Sequence, residues 1–519
     1  MTGRRLALLV ALGAIALTAS YPPFPLPPLS FLAITPAVLL VRQAVQDGDA
    51  RRAFRWGWWY GLATNALVLY WMIVALWHFT PLSALGYLAT VAVLGLMTGV
   101  LFWFVVRLRL AAPGVPLWVV LPVAWTALEW LIGHLGDVSF PWLGLGTSLA
   151  DAPVLVQWAD LAGARGVTLW VAWVNVAVVD VFIGKGEAGS GKGKAIMRGL
   201  APVVVTILLA LGYGSWRMQT LPTRDVAVVG LVQPNEGFRE KWDPAHADSV
   251  VAKLIAQSRA LLARTPGMQL LIWPEAAIPD FLWRRPQWEA EITRLPRESH
   301  VPILTGVVHA DPSWRSLADP YYNAAVFVDS SGEWRRHPAY AKHYLVPVTE
   351  RVPFVPVRVF RAVPGLARWS GGFAAGRDLP VYEIAIGRFG VLICYESAFE
   401  DLPRKYRARG ADFLVNITND AWFGRTSAPQ QHASHLVLRA IETRMGVARA
   451  ANSGISEFLD PLGRVYAATR LDEEAIVADI LRTSDVTTLY VRLGDWVGTL
   501  VVVLTLTGIV FLLKRRFAP

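Results

Sequence analysis

The sequence predicts an α-helical transmembrane bundle carrying one extramembrane α/β domain, and three observations predict it. Hydrophobic residues make up 54% of the 519-residue chain and charged residues 17%, with 23 tryptophans, a balance too apolar for an ordinary soluble enzyme. The apolar residues gather into eight segments, seven before residue 214 and one after residue 496. Between the last two, short Val-, Ile- and aromatic-rich runs alternate with helical patterns, as packed sheets with outer helices require.

The apolar segments cover residues 6–19, 24–41, 58–77, 85–106, 115–132, 167–183, 200–213 and 497–513. Several are shorter than the roughly 20 residues that cross a bilayer, and the second contains Pro27, Pro28 and Pro36. Lys and Arg in short loops stay on the cytoplasmic side. Here they occur at Arg4 and Arg5, at Arg42, Arg51, Arg52 and Arg55, at Arg107 and Arg109, at Lys185, Lys192, Lys194 and Arg198, and at Lys514, Arg515 and Arg516. The stretches 20–23, 78–83 and 133–163 have none, and only Arg165 breaks the alternation. Eight spans with both ends inside satisfy it. The chain then divides into seven spans in residues 1–213, an extracytoplasmic domain at 214–492, and a last span with its tail at 493–519. The net charge of +10 is largely accounted for by these inner loops and the membrane surface, and no nucleic-acid motif accompanies it.

Within the extramembrane domain, strands are expected at 225–233, 270–273, 301–308, 324–329, 381–386, 390–393 and 413–417. Helical spacing of apolar residues marks 248–264, with Val250, Val251, Leu254 and Ile255, and 432–449, with Leu436, Val437, Ala440 and Ile441. No internal repeat is visible, and the Gly- and Lys-rich stretch 184–194 reads as a solvated loop.

Cys394 is the chain's one cysteine, so an internal disulfide and a cysteine-clustered metal site are excluded. Two roles stay open for it, a small buried hydrophobe or a reactive nucleophile. Glu275 stands between prolines in Trp273-Pro-Glu-Ala-Ala-Ile-Pro279, and Lys342 in the aromatic run Tyr340-Ala-Lys-His-Tyr344. A thiol needs a base to become a thiolate, and a fixed cation stabilises both the thiolate and the oxyanion formed after attack. The order Glu, Lys, Cys beside strand-like runs resembles the nitrilase superfamily, which implies a Glu275–Lys342–Cys394 trio on an α-β-β-α sandwich.

The whole chain is similar to the apolipoprotein N-acyltransferase family. The resemblance rests on Phe140-Pro-Trp-Leu143, Leu231-Val-Gln-Pro with Lys241-Trp242-Asp-Pro, Trp273-Pro-Glu275, Tyr340-Ala-Lys342 with Glu350, Cys394-Tyr395-Glu396, and Asn416-Ile-Thr-Asn-Asp-Ala-Trp422-Phe-Gly424. Around Glu350 the run Leu345-Val-Pro-Val-Thr-Glu-Arg-Val-Pro353 departs from the family's commoner Pro-Phe-Gly-Glu. The resemblance implies an enzyme of the bacterial inner membrane with its catalytic domain on the periplasmic side. It would move an acyl chain from a phospholipid donor, through a thioester on Cys394, to the α-amino group of a diacylglyceryl-modified apolipoprotein, without cofactor or metal. Glu275 would be the base and Lys342, with the Tyr395 N–H, the oxyanion holder, while Glu350 and Glu396 orient them. Trp242 and Trp422 are expected to contact the acyl chain. Residues 352–373 mix Phe360 and Trp369 with Arg358, Arg361 and Arg368, as a loop at the headgroup boundary does. Residues 1–20 also read as a signal peptide, although the family's first span favours their retention.

Taken singly, Glu275 is a solvated strand-end carboxylate and Lys342 a surface lysine. His343 is expected to face away from Lys342, His432 and His435 to lie on a helix surface without further metal ligands, and Asn452-Ser-Gly454 lacks the serine-hydrolase elbow. A nitrilase-type hydrolase and a catalytically dead binding domain are the alternatives to an acyltransferase.

Overall fold

The computed structural model describes residues 2–24, 26–77, 83–183, 192–316, 319–355, 372–385 and 387–517. Phe360 and Trp369, with most of the expected headgroup loop, lie outside the described residues, as do residues 184–191.

Among the described residues the N-terminal part is mainly helical, with its longer helices at Gly3–Ala19, Thr35–Gln46, Ala50–Val68, Trp71–Trp77, Ser83–Ala111, Leu117–Ile132, Ala159–Ile183 and Lys192–Thr220, and the helix Trp496–Phe517 follows the α/β domain. Small residues let the helices approach closely. A Cβ at Gly61 would lie 2.8 Å from the Gly95 Cα, so glycine permits the contact between Ala50–Val68 and Ser83–Ala111.

The eight expected spans are not found. Among the described residues five stretches are long and apolar enough to cross a membrane, namely Pro27–Gln46, Ala84–Ala111, Ala159–Phe182, Gly199–Thr220 and Trp496–Arg515. The pair Ala50–Val68 and Trp71–Trp77, bent by 58°, makes six if it counts as one. Apolar stretches in a sequence do not mark where helices stop. Gly3–Ala19 has 17 residues and Leu117–Ile132 has 16; at 1.5 Å per residue each reaches about 25 Å, short of a hydrocarbon core of about 30 Å. The stretch 58–77 is broken where its helix stops at Val68.

The α/β domain contains two sheets. The first is built from β1 (Arg224–Gln233), β2 (Leu270–Ile272), β3 (Ile278–Phe281), β4 (Ile303–His309), β5 (Tyr322–Val328) and β6 (Tyr340–Ala341). The second holds β7 (Tyr382–Ile384), β8 (Gly387–Ile393), β9 (Phe413–Thr418), β10 (Gly446–Ala451), β11 (Glu457–Leu459) and β12 (Val465–Tyr466), and β13 (Ala475–Thr483) returns to the first. Their orders are β13-β1-β2-β4-β5-β6, with β3 on β4, and β12-β11-β10-β9-β8-β7. Strand pairs β1–β2, β2–β4, β8–β9 and β9–β10 are parallel.

The alternation of a strand explains the layering. Leu270, Ile272 and Leu304 join the apolar cluster that also holds Phe389, Val391, Ile393, Val415 and Ile417 of the second sheet. Leu271, Trp273 and Ile303 face the other way, into a cluster with Leu254 and Ile255 of the helix Ala247–Arg264 and Ile292 of Pro286–Ser299. Leu402 and Leu436, from the helices Asp401–Ala408 and Ala428–Thr443, cover the second sheet. The first cluster continues into the membrane helices through Trp142, Val167 and Val171, so bundle and domain share one core.

The helix expected at 432–449 ends earlier. Arg444 adopts φ +54°, and Gly446 opens β10 with a Cβ position only 1.9 Å from the Arg482 carbonyl oxygen. The left-handed residue stops the helix, and glycine admits the crossing chain.

Candidate active site

Parallel strands release their side chains at one end of a sheet, where loops gather polar groups. Glu275 follows β2 through Trp273 and Pro274, in a turn where Ala276 takes φ +46°. Gly306 of β4 underlies this turn; a Cβ there would sit 2.6 Å from the Glu275 Cα and 2.5 Å from the Ala276 nitrogen. Oε1 of Glu275 accepts from Asn323 Nδ2 at 2.7 Å and from Lys342 Nζ at 3.3 Å, and Oε2 accepts from the Asn419 backbone N–H at 2.8 Å.

Lys342 directly follows β6, and its side chain is fully buried. Nζ donates to Glu350 Oε1 at 2.9 Å as well as to Glu275. Burial alone would lower this amine, but the carboxylates of Glu350 and Glu275 outweigh it and hold Lys342 above its ordinary range. Asn323 Nδ2 also reaches Glu350 Oε1, at 2.9 Å, and the Val346 N–H donates to Glu350 Oε2 at 2.7 Å.

Cys394 directly follows β8, where the chain turns with φ +52° and leaves the residue 1% exposed. Burial and then the Glu275 charge push its thiol well up, opposed by Lys342 and by a hydrogen bond with the Thr418 side chain. Such a thiol reacts when a base removes its proton. Glu396 holds the loop. It accepts from the backbone N–H groups of Ile393 at 2.7 Å and His343 at 2.6 Å, and from the Tyr340 hydroxyl at 2.7 Å; burial pushes its carboxyl up to about 7 even so.

Glu275, Lys342 and Glu350 are therefore in direct contact, Cys394 lies in the electrostatic field of the first two, and Tyr395 and Glu396 support the turn beneath. Trp242 and Trp422 both line a cavity of about 490 Å³ that also reaches Phe238, Phe373, Glu275 and Glu350.

Sequence reasoning missed several groups. Asn323, which bridges the two carboxylates, carries no motif. Lys241 stands beside Trp242 in a quoted motif; its side chain is buried, and Nζ donates to the Glu275 carbonyl at 2.7 Å. Burial lowers this amine to about 8 against the pull of Glu275, Glu236 and Cys394. His432 and His435 were expected on a helix surface, yet they are 0% and 4% exposed. The helix Ala428–Thr443 packs on the second sheet and on the bundle at once, so it has almost no solvent face. His432 pairs with Asp420, and a ring nitrogen, an Asp420 oxygen and Cys394 Sγ all lie within 4.8 Å of one another. Asp420 spends Oδ1 on Thr418 and His432 and Oδ2 on Arg449, each at 2.9 Å, so it is already saturated by protein donors, one of them a cation. That is the environment of an internal ion pair rather than of a metal ligand.

A carboxylate that lines an aromatic cavity, a buried ammonium in contact with it and a buried thiol in their field are the groups that covalent acyl transfer needs.

Residues 225–487 match the family model described as carbon-nitrogen hydrolase, and residues 13–177 match that of the apolipoprotein N-acyltransferase N-terminal domain. The chain is similar to the apolipoprotein N-acyltransferase of Geobacter metallireducens, at 32% identity over 500 residues that cover 95% of this chain and 92% of the relative. It is 30% identical over 505 residues to that of Chlorobaculum tepidum, covering 92% and 91%. Among solved structures, Saccharomyces cerevisiae Nit3, a member of branch 10 of the nitrilase superfamily, aligns with 50% of this chain and 91% of its own at 16% identity and a TM-score of 0.39.

Proposed function

The chain belongs to the apolipoprotein N-acyltransferase family, and from that premise we propose which of its residues carry the reaction. The enzyme is a multi-pass membrane protein of the bacterial inner membrane that uses a cysteine nucleophile. It transfers an acyl chain from a membrane phospholipid, through a thioester, to the α-amino group of the N-terminal diacylglyceryl-cysteine of an apolipoprotein.

Glu275 takes the thiol proton of Cys394 as sulfur attacks the ester carbonyl. Lys342 and the Tyr395 N–H hold the negative charge on the carbonyl oxygen, and the lysophospholipid leaves with the proton returned by Glu275. The amine then attacks the thioester, Glu275 removes its proton, and Cys394 is regenerated, which gives ping-pong kinetics. The cavity lined by Trp242, Trp422, Phe238 and Phe373 takes the chain. Glu350 and Asn323 fix Lys342 and Glu275 in place. The observation that carries this reading is the contact of Lys342 with both carboxylates in the field of the buried thiol.

We assign the domain, from β1 to β13, to the periplasmic side. Both flanking helices support this by their ends remote from it: Lys192–Thr220 begins with Lys192, Lys194 and Arg198, and Trp496–Phe517 ends with Lys514, Arg515 and Arg516. Incubation of the purified protein with chain-labelled phospholipid and a diacylated lipopeptide tests the assignment of activity. Label is expected on the peptide amine; release only as free fatty acid would make the protein a hydrolase.

A further inference from the structure

Arg165, the basic residue that breaks the alternation of the loops, is buried where the bundle meets the α/β domain, 4% exposed. Its guanidinium reaches Glu129 at 3.4 Å and Glu400 at 3.3 Å, and its Nε is buried and makes no hydrogen bond among the described residues. Arg165 lines a cavity of about 280 Å³, far more than the roughly 30 Å³ that one water occupies in the liquid. This cavity shares no lining residue with the one beside Glu275. Arg404 and Asp495 line it as well. Oδ1 of Asp495 caps the helix Trp496–Phe517 by accepting from the Gly498 N–H at 2.9 Å, whereas Oδ2 is buried and makes no hydrogen bond among the described residues. Burial and then the charge of Glu400 push the Asp495 carboxyl up. A cationic donor and an anionic acceptor thus stand unsatisfied in the walls of one chamber, a state in which buried polar groups are rarely left.

The surroundings of the chamber narrow the class of occupant. Trp130, on the helix Leu117–Ile132, and Thr499, on Trp496–Phe517, both line it, and the second helix carries a stretch long and apolar enough to cross a membrane. Next to them Leu131 and Leu500 are exposed. A tryptophan above exposed leucines at the end of an apolar helix marks the level of lipid headgroups. An occupant that meets both Arg165 and Asp495 must carry an acceptor of negative charge and an N–H donor of positive charge.

We propose that this chamber holds the headgroup of a second phospholipid, distinct from the acyl donor and bearing a phosphodiester and a primary ammonium, with the phosphate on Arg165 and Arg404 and the ammonium on Asp495 beside Glu400. No bond to this lipid forms or breaks. An anionic headgroup without an amine leaves Asp495 Oδ2 unpaired and adds negative charge beside two carboxylates, and a trimethylammonium has no N–H to give it. Tyr344 and Phe399, stacked at 3.7 Å between ring centres, form another wall of the chamber. Tyr344 lies two residues after Lys342 and Phe399 directly follows the turn Cys394–Ala398, so the lipid braces the nucleophile turn from the side away from the acyl-chain cavity.

The test counts lipids retained by the full-length protein in native mass spectrometry, with a dialkyl phosphatidylethanolamine whose ether-linked chains give Cys394 no ester to attack. Retention is read without turnover, so the result is independent of the acyl-transfer mechanism. Asp495→Asn keeps the helix cap at Oδ1 but has neither the charge nor the second acceptor. The parent is expected to retain one lipid more than this variant, whose affinity for that lipid falls about tenfold. If Asp495→Asn does not fold, as judged by its melting temperature, Arg404→Gln is held to the same expectation. The corresponding dialkyl phosphatidylcholine should leave the chamber of the parent empty. Equal retention of the ethanolamine lipid by parent and variant overturns the proposal, as does equal retention of the choline lipid by the parent. Displacement of the extra lipid by an equimolar amount of glycerophosphoethanolamine would assign the chamber to a soluble headgroup and overturn its assignment to a lipid.

Discussion

The Tyr395 hydroxyl donates to the Ser139 carbonyl oxygen at 2.7 Å, so the residue after the nucleophile is tied to the loop between two helices of the bundle. Its ring also stacks near Phe140 and Trp142, both at 6.2 Å between centres. The nucleophile turn is thus held partly by the membrane region. Tyr395→Phe keeps the rings and orphans a buried carbonyl. It should cost about 1–3 kcal/mol of stability and slow acyl loading, which thermal melting and mass spectrometry of the full-length variant would register. An unchanged melting temperature together with unchanged loading would show that the tether is idle.

The proposed chemical roles separate by variant. With phospholipid alone the parent should gain one acyl mass on Cys394 and lose it when the amine is added. Cys394→Ala should gain none, and Cys394→Ser only traces. Glu275→Gln must set an amide NH₂ against Asn323, Lys342 or the Asn419 N–H, all of which donate to Glu275. It should load about 100-fold more slowly or worse, as should Lys342→Met. Amine acylation by Cys394→Ala at the parent rate would end the covalent mechanism.

Lys241 makes stability depend on pH in the alkaline range. Its folded value of about 8 lies below the ordinary 10.5, so between these values the unfolded chain binds more protons and stability rises with pH. The cost of burying the charge is fully present below pH 8. Lys241→Met has no such titration. Its stability relative to the parent should therefore be about 3 kcal/mol more favourable at pH 7 than above pH 10.5, as thermal melts at pH 7 and pH 10 would show in part. A difference that does not move with pH contradicts the assignment.

Trp242 and Trp422 line the cavity beside Glu275. Trp242→Ala and Trp422→Ala should raise KM for a long-chain phospholipid several-fold more than for a short-chain soluble ester, since the lost apolar area contacts the distal chain. Equal effects on both donors would remove these residues from chain recognition.

The side of the membrane is open to a direct measurement. A reporter active only outside the cytoplasm should be active when inserted near Gly332, in the turn after β5, and silent when fused after residue 519. The reverse pair refutes the periplasmic assignment.

The residues that announce themselves in the sequence are those whose neighbours are unusual: Glu275 between prolines, Lys342 among aromatics, and Cys394 as the one thiol. The strands before Glu275 and Cys394 were visible as short apolar runs, whereas β6, before Lys342, was not expected, because a two-residue strand exists only through its pairing with β5. Asn323 was not legible, because its bridging of Glu275 and Glu350 exists only once β5 is paired between β4 and β6. His432 misled for a related cause. An amphipathic pattern distinguishes one covered face, whereas the helix Ala428–Thr443 is covered by the sheet and by the bundle. The span count failed at helix ends, since hydropathy does not say where Val68 stops or that Gly3–Ala19 is short.

The exposure of Cys394, 1%, bears on a competition in time. Any acyl-thioester can be resolved by water or by an amine, and water is always the more abundant. A transferase prevails only if the loaded intermediate outlives the search of a membrane-bound acceptor diffusing in two dimensions. A sulfur buried in its turn limits the access of water, and that dryness favours delivery of the chain to an amine over its loss to hydrolysis.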